Sequence, residues 1–235
     1  MKNSKIISLS FLLLVTMLAC SAVSNFVATP TIAPLPTPTQ LPTPTQIPTP
    51  VPSQVLFEDS EFIDSCNVDS TTDVERFVEN GQINMRVVTP LYVAWTECTK
   101  TEYTDFVMEA DATQVSGPNN NTYGMIFRYG LEADEFYAFL ISGDGFYVFT
   151  IDGANREEPE FLVDWTEASA IKQGAQTNHL KVVAVGGNMK YYVNDQLLGE
   201  VTDVRFNTGT VGFFVGSLEE GGVHASFDNL KISQP

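Results

Sequence analysis

The sequence predicts an all-β fold, an antiparallel β-sandwich (jelly roll) of two sheets, preceded by a signal peptide and a disordered Pro/Thr-rich stalk. Two observations predict the sandwich. From Val55 onward, short apolar runs alternate with turns rich in Gly, Asn and Asp. Several of these runs have the period of two that a strand with one wet face requires, and no long stretch has a helical period. About a dozen short strands separated by turns are typical of a sandwich.

Residues 1–19 have the pattern of a signal peptide. Lys2 and Lys5 form a positive amino-terminal region, and the apolar stretch that follows is too short for a comfortable membrane span. Cys20 comes directly after this stretch, where a bacterial lipoprotein carries its lipidated cysteine. We therefore predict an exported, membrane-anchored extracellular lipoprotein. Cleavage near Ala22, which would release a secreted protein, is the alternative.

Residues 20–53 form a Pro/Thr-rich tether. The unit LPTPTQ occurs at residues 35–40 and again at 41–46. Proline fixes φ and removes a backbone donor, so we expect an extended polyproline II segment. At about 3.1 Å per residue, about 24 residues would reach roughly 75 Å. This tether would hold the predicted domain, residues 54–235, away from the membrane.

Charge limits the partners of the domain. The chain has 12 Lys and Arg against 29 Asp and Glu, a formal net charge of −17. The only charged residues before Glu58 are Lys2 and Lys5, so the domain itself is more acidic still. Such a field repels nucleic acid and anionic lipid head groups. We therefore predict no nucleic-acid partner, and membrane contact only through the lipid anchor.

The three cysteines predict one disulfide. If Cys20 is lipidated, Cys66 and Cys98 remain as a pair, and cysteine pairs in exported proteins are typically oxidised. Closing a loop of this length stabilises by roughly 3–4 kcal/mol in the chain-entropy model. The two histidines, His179 and His224, do not lie at ligand spacing from a cysteine, so we predict no Cys/His metal site.

Individual strands follow from local patterns. Asn80-Gly81 lies between two apolar runs and predicts a hairpin turn. Residues 122–129 and 136–142 are aromatic on both faces, which predicts central strands covered by the core on one side and by a groove or ligand on the other. Only residues 165–172 look helical. The predicted strands are 55–57, 76–79, 82–88, 91–95, 106–115, 122–129, 136–142, 146–151, 179–185, 189–193, 196–201, 211–215 and 223–232.

Five segments carry a family resemblance. They are YGMIFRY (123–129), FYAFLISGDGFYVF (136–149), LKVVAVGGNMKYYVNDQLLGEV (180–201), GTVGFFVG (209–216) and FDNLKI (227–232). In this order they resemble the concanavalin A-like lectin/glucanase superfamily, in particular laminin-G-like and 3-keto-disaccharide hydrolase type domains of exported bacterial proteins. The resemblance covers about residues 57–232 and implies a jelly roll whose concave face binds carbohydrate in many relatives. The superfamily also holds hydrolases, lyases and domains of no known activity.

Sugar binding needs flat aromatic faces and planar hydrogen-bonding groups. Alternation places Arg128 on one strand face with Gly124 and Ile126. The alternative is that the aromatic candidates fill the core and that Arg128 forms a buried ion pair with Glu109 or Asp111. The candidate ligand-binding residues are Trp95, Arg128, Tyr137, Tyr147 and Trp165.

The resemblance also suggests where catalysis and a metal would lie. Retaining family-16 glycoside hydrolases of this superfamily carry E-x-D-x-x-E on one strand, whereas residues 109–114 read E-x-D-x-x-Q. Glutamine cannot act as the acid, so we predict no catalytic residue. A structural Ca²⁺ between the first and last strands is a possible cofactor, with Glu58 and Asp228 as its oxygen ligands. The alternative is a turn-capping pair without an ion.

The sequence therefore predicts a tethered, non-catalytic module whose partner is a glycan or a cell-wall polysaccharide. Two alternatives stay open. One is a structural or adhesive module that binds protein. The other is a glycoside hydrolase-like enzyme acting on di- or polysaccharides.

Overall fold

The computed structural model describes residues 53–235. The predicted signal peptide, the lipidated Cys20 and all but the last residue of the tether lie outside the described residues. The described part contains fourteen strands in two antiparallel sheets, so the predicted all-β sandwich is confirmed. Between residues 53 and 235 there is no helix long and apolar enough to cross a membrane.

The strands are β1 Val55–Asp59, β2 Val74–Glu79, β3 Gln82–Val87, β4 Val93–Glu97, β5 Phe106–Ser116, β6 Asn121–Gly130, β7 Glu135–Ile141, β8 Phe146–Gly153, β9 Glu160–Glu167, β10 Thr177–Val185, β11 Asn188–Val193, β12 Gln196–Thr202, β13 Thr210–Ser217 and β14 Val223–Ser233. The eight-stranded sheet has the order β12-β11-β10-β5-β14-β3-β2, and β1 joins it by pairing with β14. The six-stranded sheet has the order β4-β13-β6-β7-β8-β9. Neighbours such as β5 and β14 are far apart in sequence, so the chain crosses repeatedly between the sheets.

Local sequence explains the elements that were predicted. Asn80 and Gly81 both have positive φ, 53° and 76°, as a two-residue turn between β2 and β3 requires. Along β5, buried and half-exposed residues alternate as predicted. The predicted helix at residues 165–172 is wrong. Trp165 belongs to β9, which pairs with β8, and the following residues form turns, because so short a helical pattern cannot compete with a sheet partner.

The main core lies between the two sheets and is rich in aromatic side chains. One contact that joins the sheets is the stacked pair Phe213 and Phe227, whose ring centroids are 4.2 Å apart. A second apolar cluster covers the outer face of the six-stranded sheet, and Trp95, Tyr129 and Trp165 pack against it. The six-stranded sheet is therefore apolar on both faces, as the aromatic runs predicted. This second cluster consists of Ile126, Phe136, Ala138, Leu140, Val148 and Phe214.

The predicted disulfide is confirmed. Cys66 and Cys98 are bonded and lie 32 residues apart in sequence. Cys98 directly follows β4, an edge strand of the six-stranded sheet, while Cys66 lies in the connection between β1 and β2. The bond therefore ties one edge of this sheet to the segment that precedes β2.

Candidate functional site

A groove of about 530 Å³ lies on the outer face of the six-stranded sheet. This volume is in the range of small-molecule binding sites. One edge of the groove is lined by Trp95 of β4 and the other by Trp165 of β9. Six strands spaced about 4.8 Å apart make the sheet roughly 24 Å wide, several times the width of a sugar ring. We call this feature the tryptophan groove.

The floor of the tryptophan groove is mostly apolar and carries two hydroxyl groups. Leu140, Val148 and Phe214 line it, together with Thr122 of β6 and Thr150 of β8. The side-chain oxygens of both threonines are buried and have no hydrogen-bond partner in the described part of the chain. A buried hydroxyl without a partner costs free energy. Because both oxygens are closed to solvent, these two threonines are structural parts of the floor and the groove's accessible polar groups lie elsewhere.

A glycine leaves room for the Thr122 side chain on the floor of the groove. Gly216 of β13 faces this threonine, and a Cβ at Gly216 would lie only 2.5 Å from Cγ2 of Thr122. That separation is well below ordinary van der Waals contact. A side chain at position 216 would therefore collide with the methyl group of Thr122 on the neighbouring strand β6.

Aromatic side chains form both walls. On β4, Ala94 and Thr96 are buried, and Trp95 between them points outward, where its ring meets Phe136 edge-on at 5.2 Å. Tyr92 and Phe161 also line the groove and are 38% and 48% exposed. Neither residue was predicted to bind a ligand. Phe161 lies in β9, which was not predicted, and Tyr92 lies just before β4, where no pattern distinguishes a groove residue from a surface residue.

Charged residues line the groove near the β8–β9 connection. Asp152 is the second-last residue of β8, and Arg156, Glu157 and Glu158 come from the connection. Burial raises the pKa of Asp152, while the Gly153 N–H and the Arg156 charge act in the opposite direction. Of the described residues that line the groove, Asp152 is the one carboxylate carried by a strand.

The E-x-D motif lies away from the groove. Glu109 and Asp111 are on β5, on the outer face of the eight-stranded sheet, between core residues of the same strand. His179 Nδ1 is 2.8 Å from Asp111 Oδ1, and its Nε2 is 3.7 Å from Glu109 Oε1. This motif therefore contributes no carboxylate to the tryptophan groove.

The structure brings two of the five candidate binding residues together. Trp95 and Trp165 line the same groove. Tyr137 and Tyr147 lie in the core between the sheets. The Tyr137 hydroxyl donates to Asp203 Oδ1 at 2.5 Å, and burial raises its pKa to about 12.

Arg128 also lies inside the protein. Its side chain is fully buried, and its guanidinium donates to the backbone oxygens of Thr104 (2.8 Å), Gly186 (2.7 Å) and Phe206 (3.1 Å). Burial lowers its pKa. Arg128 thus ties together three connections: β4–β5, β10–β11 and β12–β13.

Two expectations for Arg128 are wrong for a geometric reason. A β-bulge with positive φ, 50° at Arg128, shifts the β6–β7 register between Phe127 and Gly130. Strict alternation with Gly124 and Ile126 therefore ends before Arg128. The hypothesised ion pair with Glu109 or Asp111 is absent too, because the guanidinium bonds to loop carbonyls instead.

The two residues proposed as calcium ligands do not form a coordination shell by themselves. Glu58 is exposed and pairs in register with Lys231, while Asp228 Oδ2 accepts a hydrogen bond from Gln82 Nε2 at 3.3 Å. No group of three or more His, Cys, Asp or Glu side chains in residues 53–235 could hold a metal. Calcium takes six to eight oxygen ligands. The calcium site stays a prediction.

Comparisons with known proteins reveal a likeness in fold. No family model and no curated protein matches the chain. The structure is similar to the carbohydrate-binding module CBM66 from Bacillus subtilis, with 18% identity, a TM-score of 0.57, and coverage of 72% of this chain and 96% of that one. It is also similar to a Bacillus subtilis protein of unknown function with a galectin-like fold, with 9% identity, a TM-score of 0.52, and coverage of 77% and 96%.

A third similar structure is a GlcNAcα1-4Gal-releasing endo-β-galactosidase from Clostridium perfringens. It has 8% identity and a TM-score of 0.53, and the match covers 82% of this chain and 65% of that one. The fold is therefore one that carbohydrate-binding, galectin-like and glycosidase β-sandwich domains share, which is consistent with a concanavalin A-like fold.

Proposed function

We propose that this protein is an exported, tethered β-sandwich that binds a glycan in the tryptophan groove without cleaving it. The observation that carries the proposal is that the chain has two tryptophans and both line this one groove, from opposite edges. Sugar rings present C–H faces that pack on aromatic rings. A mostly apolar site with a few placed polar groups is also the usual form of a ligand pocket.

The polar groups of the groove support the same proposal. Sugar hydroxyls both donate and accept hydrogen bonds. Asp152 and Arg156, which line the groove, supply an acceptor and a donor. The CBM66 module, which shares the fold, is named for carbohydrate binding.

Binding without cleavage is favoured by the distribution of carboxylates. Glycosidases place two carboxyl groups on either side of the bond to be cleaved. Of the described lining residues, only Asp152 offers a carboxylate from a strand, whereas Glu157 and Glu158 lie on the β8–β9 connection. A rigid pair that flanks one bond across the floor is not formed by strand residues.

Glycoside hydrolysis is the second candidate, and one observation favours it. Burial raises the pKa of Asp152, and a raised carboxyl pKa is the direction that a general acid requires. Reducing ends would then accumulate when polysaccharides are incubated with the protein, and Asp152→Asn would abolish their release. Binding without new reducing ends would eliminate this candidate.

We also propose export and anchoring through a lipid on Cys20. The Cys66–Cys98 disulfide supports export, because disulfides persist in oxidising compartments. Expression of the full chain in a bacterial host, followed by detergent phase partition, tests the anchor. The wild-type chain is expected in the detergent phase, and Cys20→Ser in the aqueous phase or unprocessed. Equal partition of both chains would favour the secreted alternative.

The binding proposal is tested with a glycan array and with titration of tryptophan fluorescence, which reports on the groove because both tryptophans line it. Trp95→Ala and Trp165→Ala are each expected to weaken binding by roughly tenfold or more. Tyr192→Ala, on the outer face of the eight-stranded sheet, is the matched control and should leave affinity unchanged. A silent array, or affinity that survives both tryptophan substitutions, would contradict the proposal and favour the protein-binding alternative.

A further inference from the structure

Two smaller hollows adjoin the tryptophan groove. One, of about 280 Å³, lies beyond Trp95 and shares that residue with the groove. The other, of about 290 Å³, shares Trp165 and Leu218 with it. We call them the β4-side hollow and the β9-side hollow. Each tryptophan therefore stands between two spaces, so a ligand that contacts one of these rings could continue past it.

The β4-side hollow is polar and held in place by internal hydrogen bonds. Arg76 donates to the carbonyl oxygens of Asp69 (2.6 Å) and Trp95 (3.0 Å), while its Nε is buried without a partner in the described part of the chain. The Tyr129 hydroxyl donates to Asp134 Oδ1 at 2.7 Å. The half-buried carboxylate of Glu97 also lines this hollow. A fixed donor and a carboxylate acceptor beside an indole face suit a sugar hydroxyl pair.

The β9-side hollow combines an aromatic ring with polar groups. Phe146 and Trp165 supply the rings, and Asn120 supplies an exposed amide. The Ser142 hydroxyl donates to the Asp144 carboxylate, which fixes that carboxylate and leaves its other oxygen as an acceptor. This is again a surface for a ring with hydroxyl groups, and it adjoins the tryptophan groove at Trp165 and Leu218, at the end of the sheet formed by the start of β6 and the β7–β8 turn.

The charge of the tryptophan groove and its two hollows disfavours acidic ligands. Carboxylates outnumber guanidinium groups along them, and the whole chain carries a net charge of −17. Glycans with carboxylate or sulfate groups would meet a field of their own sign. The carboxylates are Asp69, Glu97, Asp144, Asp152, Glu157 and Glu158, and the guanidinium groups are those of Arg76 and Arg156.

We infer that the ligand is an extended, neutral oligosaccharide that occupies the tryptophan groove and both hollows, with at least one sugar unit in each. This inference rests on the proposed function and adds the length and charge of the glycan. A site for a single terminal sugar would need only one of these spaces. Here the combination of an aromatic ring and polar groups instead occurs in three adjoining spaces, and each hollow shares one tryptophan with the groove.

The inference is tested with ladders of one to six sugar units from cellulose, xylan, amylose and β-1,3-glucan, titrated by tryptophan fluorescence. For the ladder that binds, affinity is expected to rise by roughly tenfold or more from the disaccharide to the longer members. Oligogalacturonides of the same lengths, which are acidic, are expected not to bind. The ladder itself needs no substitution, so it is independent of variant folding.

Two variants locate the extension. Glu97→Ala in the β4-side hollow and Asn120→Ala in the β9-side hollow should each weaken binding of the longest bound member by roughly threefold to tenfold. Neither should change disaccharide affinity. Glu109→Ala, on the outer face of the eight-stranded sheet, is the control. Affinity that is independent of length, or preference for oligogalacturonides, overturns this inference and leaves the proposed function intact. If none of the ladders binds, both this inference and the proposed function are contradicted.

Discussion

The two edges of the tryptophan groove are held by different kinds of interaction. The β4 edge carries Trp95 and is fixed by a covalent bond, since Cys98 directly follows the strand and is bonded to Cys66. Arg76 adds a hydrogen bond to the Trp95 carbonyl at 3.0 Å. Cys98 comes only three residues after Trp95, so the disulfide restrains the position of this wall whether or not a ligand is bound.

The β9 edge carries Trp165, and ion pairs of Arg205 join this strand to the β12–β13 connection. Arg205 contacts Glu160 of β9 at 2.6 Å and Asp203 at 2.8 Å. The Arg205 and Glu160 side chains are 37% and 46% exposed, whereas the Asp203 side chain is 14% exposed. Exposed ion pairs contribute little and are screened by salt. Outside its own sheet, the Trp165 wall is therefore held by weaker contacts than the Trp95 wall.

Buried residues hold the segment from which Arg205 reaches the β9 edge. Tyr137 donates to Asp203 and accepts the Phe206 N–H at 3.2 Å, while Arg128 donates to the Phe206 carbonyl. These contacts hold residues 203–206, from which Arg205 reaches β9. The groove therefore has one wall held by a covalent bond and one held by noncovalent contacts, so any ordering cost on binding falls mainly on the β9 edge.

The largest effect is expected for Arg128→Met, which removes the buried support of the β9 wall. Three backbone carbonyls would lose a charged donor, so the free energy of unfolding should fall by at least about 3 kcal/mol. Urea unfolding measures this loss. Arg86→Met is the matched control, because Arg86 pairs with Glu75 at the surface and should cost no more than about 1 kcal/mol. Equal losses in both variants would remove the structural role assigned to Arg128.

The β4 wall is tested by the double substitution Cys66→Ser and Cys98→Ser. The bond closes a loop with a sequence separation of 32, so its removal should lower the unfolding free energy by roughly 3–4 kcal/mol. Urea unfolding of the variant, compared with wild type under oxidising and reducing conditions, measures the change. A loss below about 1 kcal/mol would mean that noncovalent contacts hold the β4 edge, and the contrast between the walls would disappear.

Arg205→Ala should act on the β9 wall alone. Because its partners are partly exposed, the stability loss should be only about 1 kcal/mol. Amide hydrogen exchange should accelerate in β9 and stay unchanged in β4. Lys190→Ala, which breaks an exposed pair with Glu200 at 3.9 Å, is the control. Faster exchange in both edge strands would show that the walls are not independent.

The smallest expected effect is a pH dependence of the stability that the Arg205–Asp203 contact contributes. The hydrogen bond from Arg205 lowers the pKa of Asp203 from 3.8 to about 2. A carboxyl whose pKa is depressed on folding stabilises the native state above its unfolded pKa, and this contribution disappears as pH falls through the folded value. The stability difference between wild type and Arg205→Ala should therefore shrink from pH 4 to pH 2. A constant difference across this window would contradict the assignment.

Sequence patterns predicted most strands because strand alternation and turn chemistry are local. Asn80-Gly81 marks its turn, and the alternation of β5 marks its buried face. The pattern failed for β9. Its pairing with β8 has register shifts between Tyr147 and Phe149 and between Phe149 and Thr150, so no regular period of two is visible in its sequence.

The site was harder to predict than the fold because both faces of the central strands are apolar. Phe136, Ala138 and Leu140 pack on the outer face, whereas Tyr137 in the same strand packs in the core. Nothing in the alternation says which face is the groove. Arg128 was placed wrongly because a bulge with positive φ at a non-glycine residue leaves no sequence signal.

The hydrogen bonds of Arg128 also bear on how the chain reaches its native state. They join residues that are 24, 58 and 78 positions away along the chain. None can form until strands from three distant regions have docked, so they are late contacts in a fold dominated by non-local pairing, which folds slowly. Interactions absent from the folding transition state mainly slow unfolding. We therefore expect Arg128→Met to unfold faster than wild type and to fold at the same rate, which stopped-flow measurement of both rates would check.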